Sequence, residues 1–363
     1  MVKRKEFLSG EIIAPQPLSK RTSLADLIDK TFLSYNAGRL REVCQVFTYK
    51  MLKRDVTIGV SLSGALTPAG LGGACVVPLM EKGYVEWIVS TGANLYHDIH
   101  FALGLRLRKG THCGDDVALR KAGVVRIYDI VFDYQVLLKT DAYVRRVLSH
   151  EEFQRDMGTA ELHYLLGKYL QKEEEARGTR GSSILAAAYR LGIPIFSPSP
   201  GDSSIGMNSA GLALENHRLK IDVSLDVNES AAIVYHAKKK GGKSGVVILG
   251  GGSPKNFLLQ TEPHIQEILG LRDSGHDYFI QITDARPDTG GLSGATPSEA
   301  ISWGKINPQG LPNTVVAYLD STVALPLITA YALARGTPRP HQRLYEKRDT
   351  LVHALRRDYL RTK

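Results

Sequence analysis

The chain has 363 residues, 43% hydrophobic and 23% charged, with a formal net charge of +9. This is ordinary globular composition, long enough to bury a core without disulfide staples. The three cysteines, Cys44, Cys75 and Cys113, lack metal-ligand spacing, no apolar run reaches transmembrane length, and MVKRKEFLSG lacks a signal-peptide core, so no metal, no membrane and a cytoplasmic setting are expected.

Basic residues are scattered. The densest runs, Lys3-Arg4-Lys5, Lys238-Lys239-Lys240 and Arg356-Arg357, are not interleaved with aromatics, so no nucleic-acid partner is expected. Residues 1–50 read as a polar, proline-containing arm followed by an amphipathic helix, or two helices broken near Asn36-Ala37-Gly38. Residues 51–340 read as an α/β body, and 341–363 as a polar tail.

The body opens with a strand–turn–helix–strand unit. Val56 to Ser61 and Val85 to Ser90 are strands, separated by a Gly-rich turn (Leu62 to Gly73) and a short helix (Ala74 to Lys82). Small residues at a helix start suit a pyrophosphate, although the spacing is not GxGxxG. His97, Asp98 and His100 follow the second strand, where a doubly wound sheet places its ligand crevice. They suggest hydrogen bonding or proton transfer at the site, or an ordinary helix start. Residues 101–180 are less patterned, with a charged helical stretch from Ser149 to Arg177.

Alternation then resumes with a helix from Ser182, the buried run Ile193 to Phe196, a loop through Asp202, a strand near Leu219 to Val223 and a helix from about Val227. Gly245 to Leu249 is a strand running directly into Gly250-Gly251-Gly252. Three glycines between core-like flanks point to a backbone that turns tightly, either for structure alone or to admit a ligand. Tyr278 to Ile282 is a strand leading into a turn-rich loop with Asp284, Asp288 and Gly290, then Ser302-Trp303-Gly304-Lys305. Val315 to Leu319 is the last strand, ending at Asp320 before a helix from Ser321. Strands ending in small residues plus Asp98, Asp202, Asp284 and Asp320 predict one crevice at the C-terminal sheet edge, with Lys305 at its mouth.

The motifs IPIFSPSPGDSSIG (Ile193 to Gly206), VVILGGGSPKN (Val246 to Asn256), SEAISWGKI (Ser298 to Ile306) and AYLDSTVALPL (Ala317 to Leu327) resemble deoxyhypusine synthase in order and spacing. The resemblance runs from about Leu24 to Arg335. It implies an α/β, doubly wound, mostly parallel Rossmann-like sheet with an N-terminal helical segment, NAD as cofactor, and a homotetramer with active sites at interfaces. In the family, NAD⁺ oxidises spermidine and the lysine of the WGK motif captures the aminobutyl group as an imine. The group then passes to an acceptor amine. Lys305 is thus the implied nucleophile, and Trp303 an apolar wall and cation-binding face. Ser63, Gly64, Asp202, Gly251, Gly252, Asp284, Leu319 and Asp320 are the implied NAD contacts. Tyr96, Asp98, Asn256 and Gly290 fall on positions that hold the polyamine.

Departures from the family pattern bear on substrate. Tyr96 and His97 stand where TAGGVEED has glutamates, Met207 where DGSLGD ends in aspartate, Asn256 where a histidine follows the lysine, and Leu292 where the FDGSDSG loop has an aspartate. This looks like the largely bacterial deoxyhypusine synthase-like branch. The expected activity is aminobutyl transfer from a polyamine donor to a small amine, as in homospermidine synthesis. His97 is the candidate general base, with Asp98 orienting it. The alternatives are modification of a protein lysine and a non-catalytic NAD-binding module.

Overall fold

Val56–Leu62 is buried at every position, the signature of a central strand covered on both faces. The computed structural model describes residues 7–239 and 241–363; Lys3-Arg4-Lys5, Lys240 and the start of the polar arm lie outside them. Its strands are β1 (Val56–Leu62), β2 (Trp87–Ser90), β3 (Arg108–Lys109), β4 (Val124–Ile127), β5 (Ile130–Asp133), β6 (Asp156–Met157), β7 (Ile195–Phe196), β8 (Lys220–Ile221), β9 (Lys243–Leu249), β10 (Tyr278–Thr283) and β11 (Thr314–Tyr318). Six of them form one sheet in the order β11-β10-β9-β1-β2-β7, and every pairing is parallel. Counting only these six along the chain, the order is that of a dinucleotide-binding sheet, and it reverses between β1 and β9.

Side chains alternate between two apolar layers. Val246, Ile248 and Phe279 pack with Leu258 and Leu259 on one face, while Val247, Leu249 and Ile280 pack with Leu95, Ile99 and Leu325 on the other. The fold is therefore a doubly wound α/β sheet. The strand expected at Leu219 to Val223 shrinks to β8, which pairs with β6 outside the main sheet. The less patterned region contains the antiparallel β3-β5-β4 ribbon and the helices Gln135–Leu148 and Thr159–Arg177.

The N-terminal segment is two helices, Leu24–Thr31 and Tyr35–Gln45. The break falls at Phe32 to Ser34, not at Gly38, which lies inside the second helix. Ser23 caps the first by accepting from the Asp26 amide. Asp29 accepts a 2.7 Å hydrogen bond from the Tyr331 hydroxyl, tying this segment to the helix Ser321–Arg335. Residues 341–363 are not a loose tail. The helix Arg348–Leu360 buries Leu351 and Leu355 in the second apolar layer, and Asp358 accepts from Tyr235 at 3.0 Å. Apolar residues at every fourth position had been masked by a high density of charge.

Close approach of β1 and β2 depends on one absent side chain. A Cβ on Gly59 would lie 2.4 Å from the indole of Trp87, which is fully buried. Gly59→Ala must displace that ring, so it should destabilise the fold by about 1–3 kcal/mol, read as a lowered urea midpoint at unchanged slope.

Candidate active site

The strand order reverses where the turn after β1 meets the glycine turn after β9. The Ser63 hydroxyl donates to the Gly251 carbonyl and accepts from the Gly251 amide at 3.2 Å. The Gly252 amide donates to Ser293 Oγ at 2.9 Å. Gly251 and Gly252 therefore shape the turn, and their amides are already engaged rather than free for a phosphate. A Cβ on Gly251 would strike Ser293 at 2.4 Å. Gly64 and Gly252, by contrast, have φ of +61° and +59° with open space where a Cβ would stand. Bare backbone thus lies at the switch point, an arrangement that leaves room for close approach of a dinucleotide without relying on those two amides. The neighbouring turn is clamped by buried Asn94, whose side chain accepts from the Leu66 amide at 2.6 Å.

The carboxylates read as crevice residues sit around this point in different ways. Asp284 follows β10 and is exposed. Asp320 is also exposed, and it caps the helix Ser321–Arg335 by accepting from the Thr322 amide. Leu319 is anchored by its amide to the Thr283 carbonyl at 3.1 Å. Asp202 follows β7, at the opposite sheet edge from β11. The loop that carries it folds back, however, and brings Ser199 Oγ to 3.4 Å from Ser253 Oγ beside the glycine turn.

The Lys305 backbone lies beside the start of β10, and only its side chain reaches toward the helix that begins at the glycine turn. Its carbonyl accepts from the His276 amide at 2.9 Å, and Ile306 bridges His276, just before β10 begins. The Lys305 side chain enters a pocket of about 260 Å³ on the flank of β10, lined by Lys255, Asn256, Phe279, Leu292, Glu299 and Trp303 among others. Its amine donates to Asn256 Oδ1 at 3.0 Å and lies 5.6 Å from the Trp303 ring. Burial holds the Lys305 amine below the ordinary lysine range, partly offset by Glu299. Trp303 is 60% exposed, so it stands at the entrance and does not seal the pocket. Gly290 lies outside the pocket on the exposed part of the loop, ending a short 3₁₀ turn at φ +72°.

Two expected substrate residues are structural. Asp98 is fully buried and accepts from Ser183 Oγ at 2.6 Å and from the Ile184 and Leu185 amides at 2.8 and 3.0 Å, capping the helix Ile184–Leu191. Burial pushes its carboxyl up to about 7 against those donors. The Tyr96 hydroxyl donates to Asp141 at 2.8 Å and its ring is buried, so neither side chain reaches a ligand. Sequence position near a strand end could not separate a helix cap from a substrate contact.

His97 is oriented by His100, not by Asp98. The Thr140 hydroxyl donates to the Val136 carbonyl at 2.8 Å, so it accepts from His100 Nδ1 at 2.8 Å. His100 Nε2 is then an acceptor, facing His97 Nδ1 at 3.0 Å. This chain of roles leaves the lone pair of His97 on Nε2. Burial keeps both rings neutral, with His100 held down to about 3. Among the described residues no cluster of three or more His, Cys, Asp or Glu side chains is arranged to hold a metal ion. The helix Gly92–Ala102 packs on the sheet face opposite the Lys305 pocket, so one chain does not bring His97 and Lys305 together.

Three residues escaped the sequence reading. Lys255 is 3% exposed and donates to Gln281 Oε1 at 3.0 Å and the Ala295 carbonyl at 2.8 Å. Burial, then the charge of Lys305, lowers its amine to about 8. Gln281 is a buried amide in mid-strand, and Glu299 is the one carboxylate lining the pocket. The available signals were a lysine one turn into a helix on the same side as Leu258 and Leu259, and a glutamine interrupting an apolar strand.

The deoxyhypusine synthase family model matches residues 24–332. A deoxyhypusine synthase-like protein of Nostoc punctiforme is 59% identical over 354 residues, covering 98% of this chain and 91% of that one. A Methanosarcina acetivorans protein named "probable deoxyhypusine synthase 2" is 40% identical over 319 residues, 88% of each chain. Among solved structures, a candidate deoxyhypusine synthase from Entamoeba histolytica superposes with a TM-score of 0.58 at 16% identity, covering 89% of this chain and 97% of that one, which is a likeness of fold. With the sheet order, the glycine turn at its switch point and the WGK lysine in a pocket beside it, these matches establish that the chain belongs to the deoxyhypusine synthase family.

Proposed function

We propose that this protein is an NAD-dependent transferase that moves an aminobutyl group from a spermidine-like polyamine to an acceptor amine through an imine on Lys305. The observation that carries the reading is the Lys305 amine itself, half-buried, depressed below the usual lysine range and held by the neutral oxygen of Asn256. An uncharged amine is what imine formation needs. NAD⁺, bound at the switch point by the open backbone of Gly64 and Gly252 with Asp202, Asp284 and Asp320 around it, would accept a hydride from the donor and return it at the end.

The chain's own groups do the rest. Lys305 attacks the oxidised donor carbon, the C–N bond to the departing 1,3-diaminopropane breaks, and the aminobutyl group remains on Lys305 as an imine. An acceptor amine then adds to that carbon, a proton passes from the incoming nitrogen to that of Lys305, and the C–N bond to Lys305 breaks with its electron pair staying on the lysine; the imine left on the acceptor is what the returned hydride would reduce. Trp303 at the entrance offers a face to a cationic chain, and Glu299 a single carboxylate. Leu292 lines the pocket where the resemblance leads one to expect an aspartate, which favours a small acceptor with few charges over the parent arrangement. Borohydride added with NAD⁺ and candidate polyamines should trap a mass adduct on the Lys305 peptide, lost in Lys305→Ala. Failure of every polyamine to give an adduct or reduce NAD⁺ removes the reading for those donors.

His97 enters this scheme as a general base through Nε2, with His100 setting its tautomer. Because the two side chains are on opposite faces of one sheet, His97 serves the Lys305 pocket of a second protomer, in keeping with a homotetramer whose sites lie at interfaces. His97→Ala should lower turnover by about 10²-fold or more while NAD binding persists. Mixing the inactive His97→Ala and Lys305→Ala proteins under subunit exchange should restore activity at a fraction of the sites; no recovery in mixed oligomers would exclude the shared arrangement.

A further inference from the structure

Asp141 is a carboxylate held in place by neutral groups. It lies on the helix Gln135–Leu148, and its Oδ1 accepts from the Tyr96 hydroxyl at 2.8 Å and from Asn208 Nδ2 at 2.7 Å. Both donor side chains are buried. Arg145 Nε donates to Asn208 Oδ1 at 2.7 Å, which fixes the amide and turns its nitrogen toward Asp141. Burial, then Asp141, pushes the Tyr96 hydroxyl well above its usual range, so it remains a donor. The second carboxylate oxygen, Oδ2, has no hydrogen-bond partner among the described residues, and on this half-buried side chain it stays open to solvent. Arg145, one turn further along the same helix, is engaged by Asn208, and no cation among the described residues forms an ion pair with Asp141.

Its position ties it to the crevice. Tyr96 is one turn into the helix Gly92–Ala102 and Asn208 one turn into the helix Ser204–Ala213. These helices follow β2 and β7, and their starts are in contact, since a Cβ on Gly92 would lie 2.3 Å from the Ser203 side chain. Asp141 therefore stands at the crevice end of the sheet, beside the Tyr96 ring that packs on His97 with centroids 5.6 Å apart. Thr140, the residue before it, accepts from His100, so consecutive residues of one helix set the His97 tautomer and present a carboxylate. Burial keeps both imidazoles neutral, and Met207, exposed next to Asn208, adds no charge. An asparagine at 141 would accept the same two hydrogen bonds through its own oxygen, so tying three helices together does not require a charge. A partly desolvated carboxylate that is oriented but not neutralised is instead suited to an incoming ammonium.

We infer that Asp141 binds a terminal ammonium of the linear polyamine substrate through Oδ2, with Tyr96 and Asn208 orienting its carboxylate. The identity of the ligand rests on the transferase reading above. Asp141→Asn keeps Oδ1 for both donors and removes only the open oxygen and the charge. Labelled spermidine is equilibrated by dialysis with the full-length protein and NADH in place of NAD⁺, so that no donor is oxidised. Asp141→Asn should weaken binding by about tenfold or more, with the NADH affinity and the thermal unfolding midpoint unchanged. A fall in either of those would mark a structural role and overturn the inference. N1- and N8-acetylspermidine cap one terminus each. With the form that caps the end held by Asp141, wild type and variant should bind alike, and a difference that survives both caps overturns the inference. Equal affinity of the two proteins for spermidine, or no saturable binding by either, overturns it as well. If the variant binds more weakly but borohydride traps nothing on Lys305, the transferase reading fails and the ammonium site stands. If both proteins trap the adduct at the same half-saturating spermidine, the site fails and the transferase reading stands.

Discussion

One buried amide joins the parts of this site. Gln281, in the middle of β10 and 1% exposed, donates to the carbonyl of Gly250 in the glycine turn and to that of Ser293 in the following loop, and accepts from Lys255 on the helix that the turn begins. A polar residue in the interior of a parallel sheet is tolerated only when every hydrogen-bonding group is met, and here three are met by three different segments. Removing the amide would take the donor from two carbonyls and one of the two acceptors from the Lys255 amine at once. The glycine turn and the amine pocket are thus held in register by one buried contact.

That contact explains how two sites separated along a strand can act together. The switch point lies at the C-terminal ends of β1 and β9, while Lys305 is fastened beside the start of β10. The helix Gly252–Pro263 spans the distance. Its first residue is part of the glycine turn, its fourth and fifth are Lys255 and Asn256, and a helix rises only about 1.5 Å per residue, so the amine-handling groups sit within one turn of the turn's open backbone. Ser293 reinforces the same link from the other side by accepting from the Gly252 amide. A displacement at the switch point would be carried to the amines by a short, packed path.

The fold was largely legible because its strands are long apolar runs punctuated by glycine. Val56–Leu62 and Lys243–Leu249 announce themselves, and the turns after them mark where the order reverses. The site was legible only in part. Lys305 and Trp303 stood out through motif, and the pocket contains both. Asp98 and Tyr96 misled because a carboxylate near a strand end serves a helix cap as well as a ligand, and only the three-dimensional position of Ser183 distinguishes the two. Lys255 was passed over because lysine is normally solvated, and the cue that it is not comes from Gln281, twenty-six positions away in sequence. The C-terminal helix was hidden by charge that lies on its outer face while Leu351 and Leu355 are buried.

The pocket's charge balance bears on specificity. Its lining has two amines and one carboxylate, so the cavity itself repels cations unless Lys305 is neutral. A polyamine with several charges would face that repulsion on entry, and the exposed Trp303 face is the first attractive surface it meets. Leu292 at the rim adds apolar surface and no charge, which rewards a donor's methylene chain more than its ammonium ends. For the reaction proposed above, a chain whose reacting end is apolar or already oxidised would be admitted more readily than one that brings another positive charge next to Lys255 and Lys305.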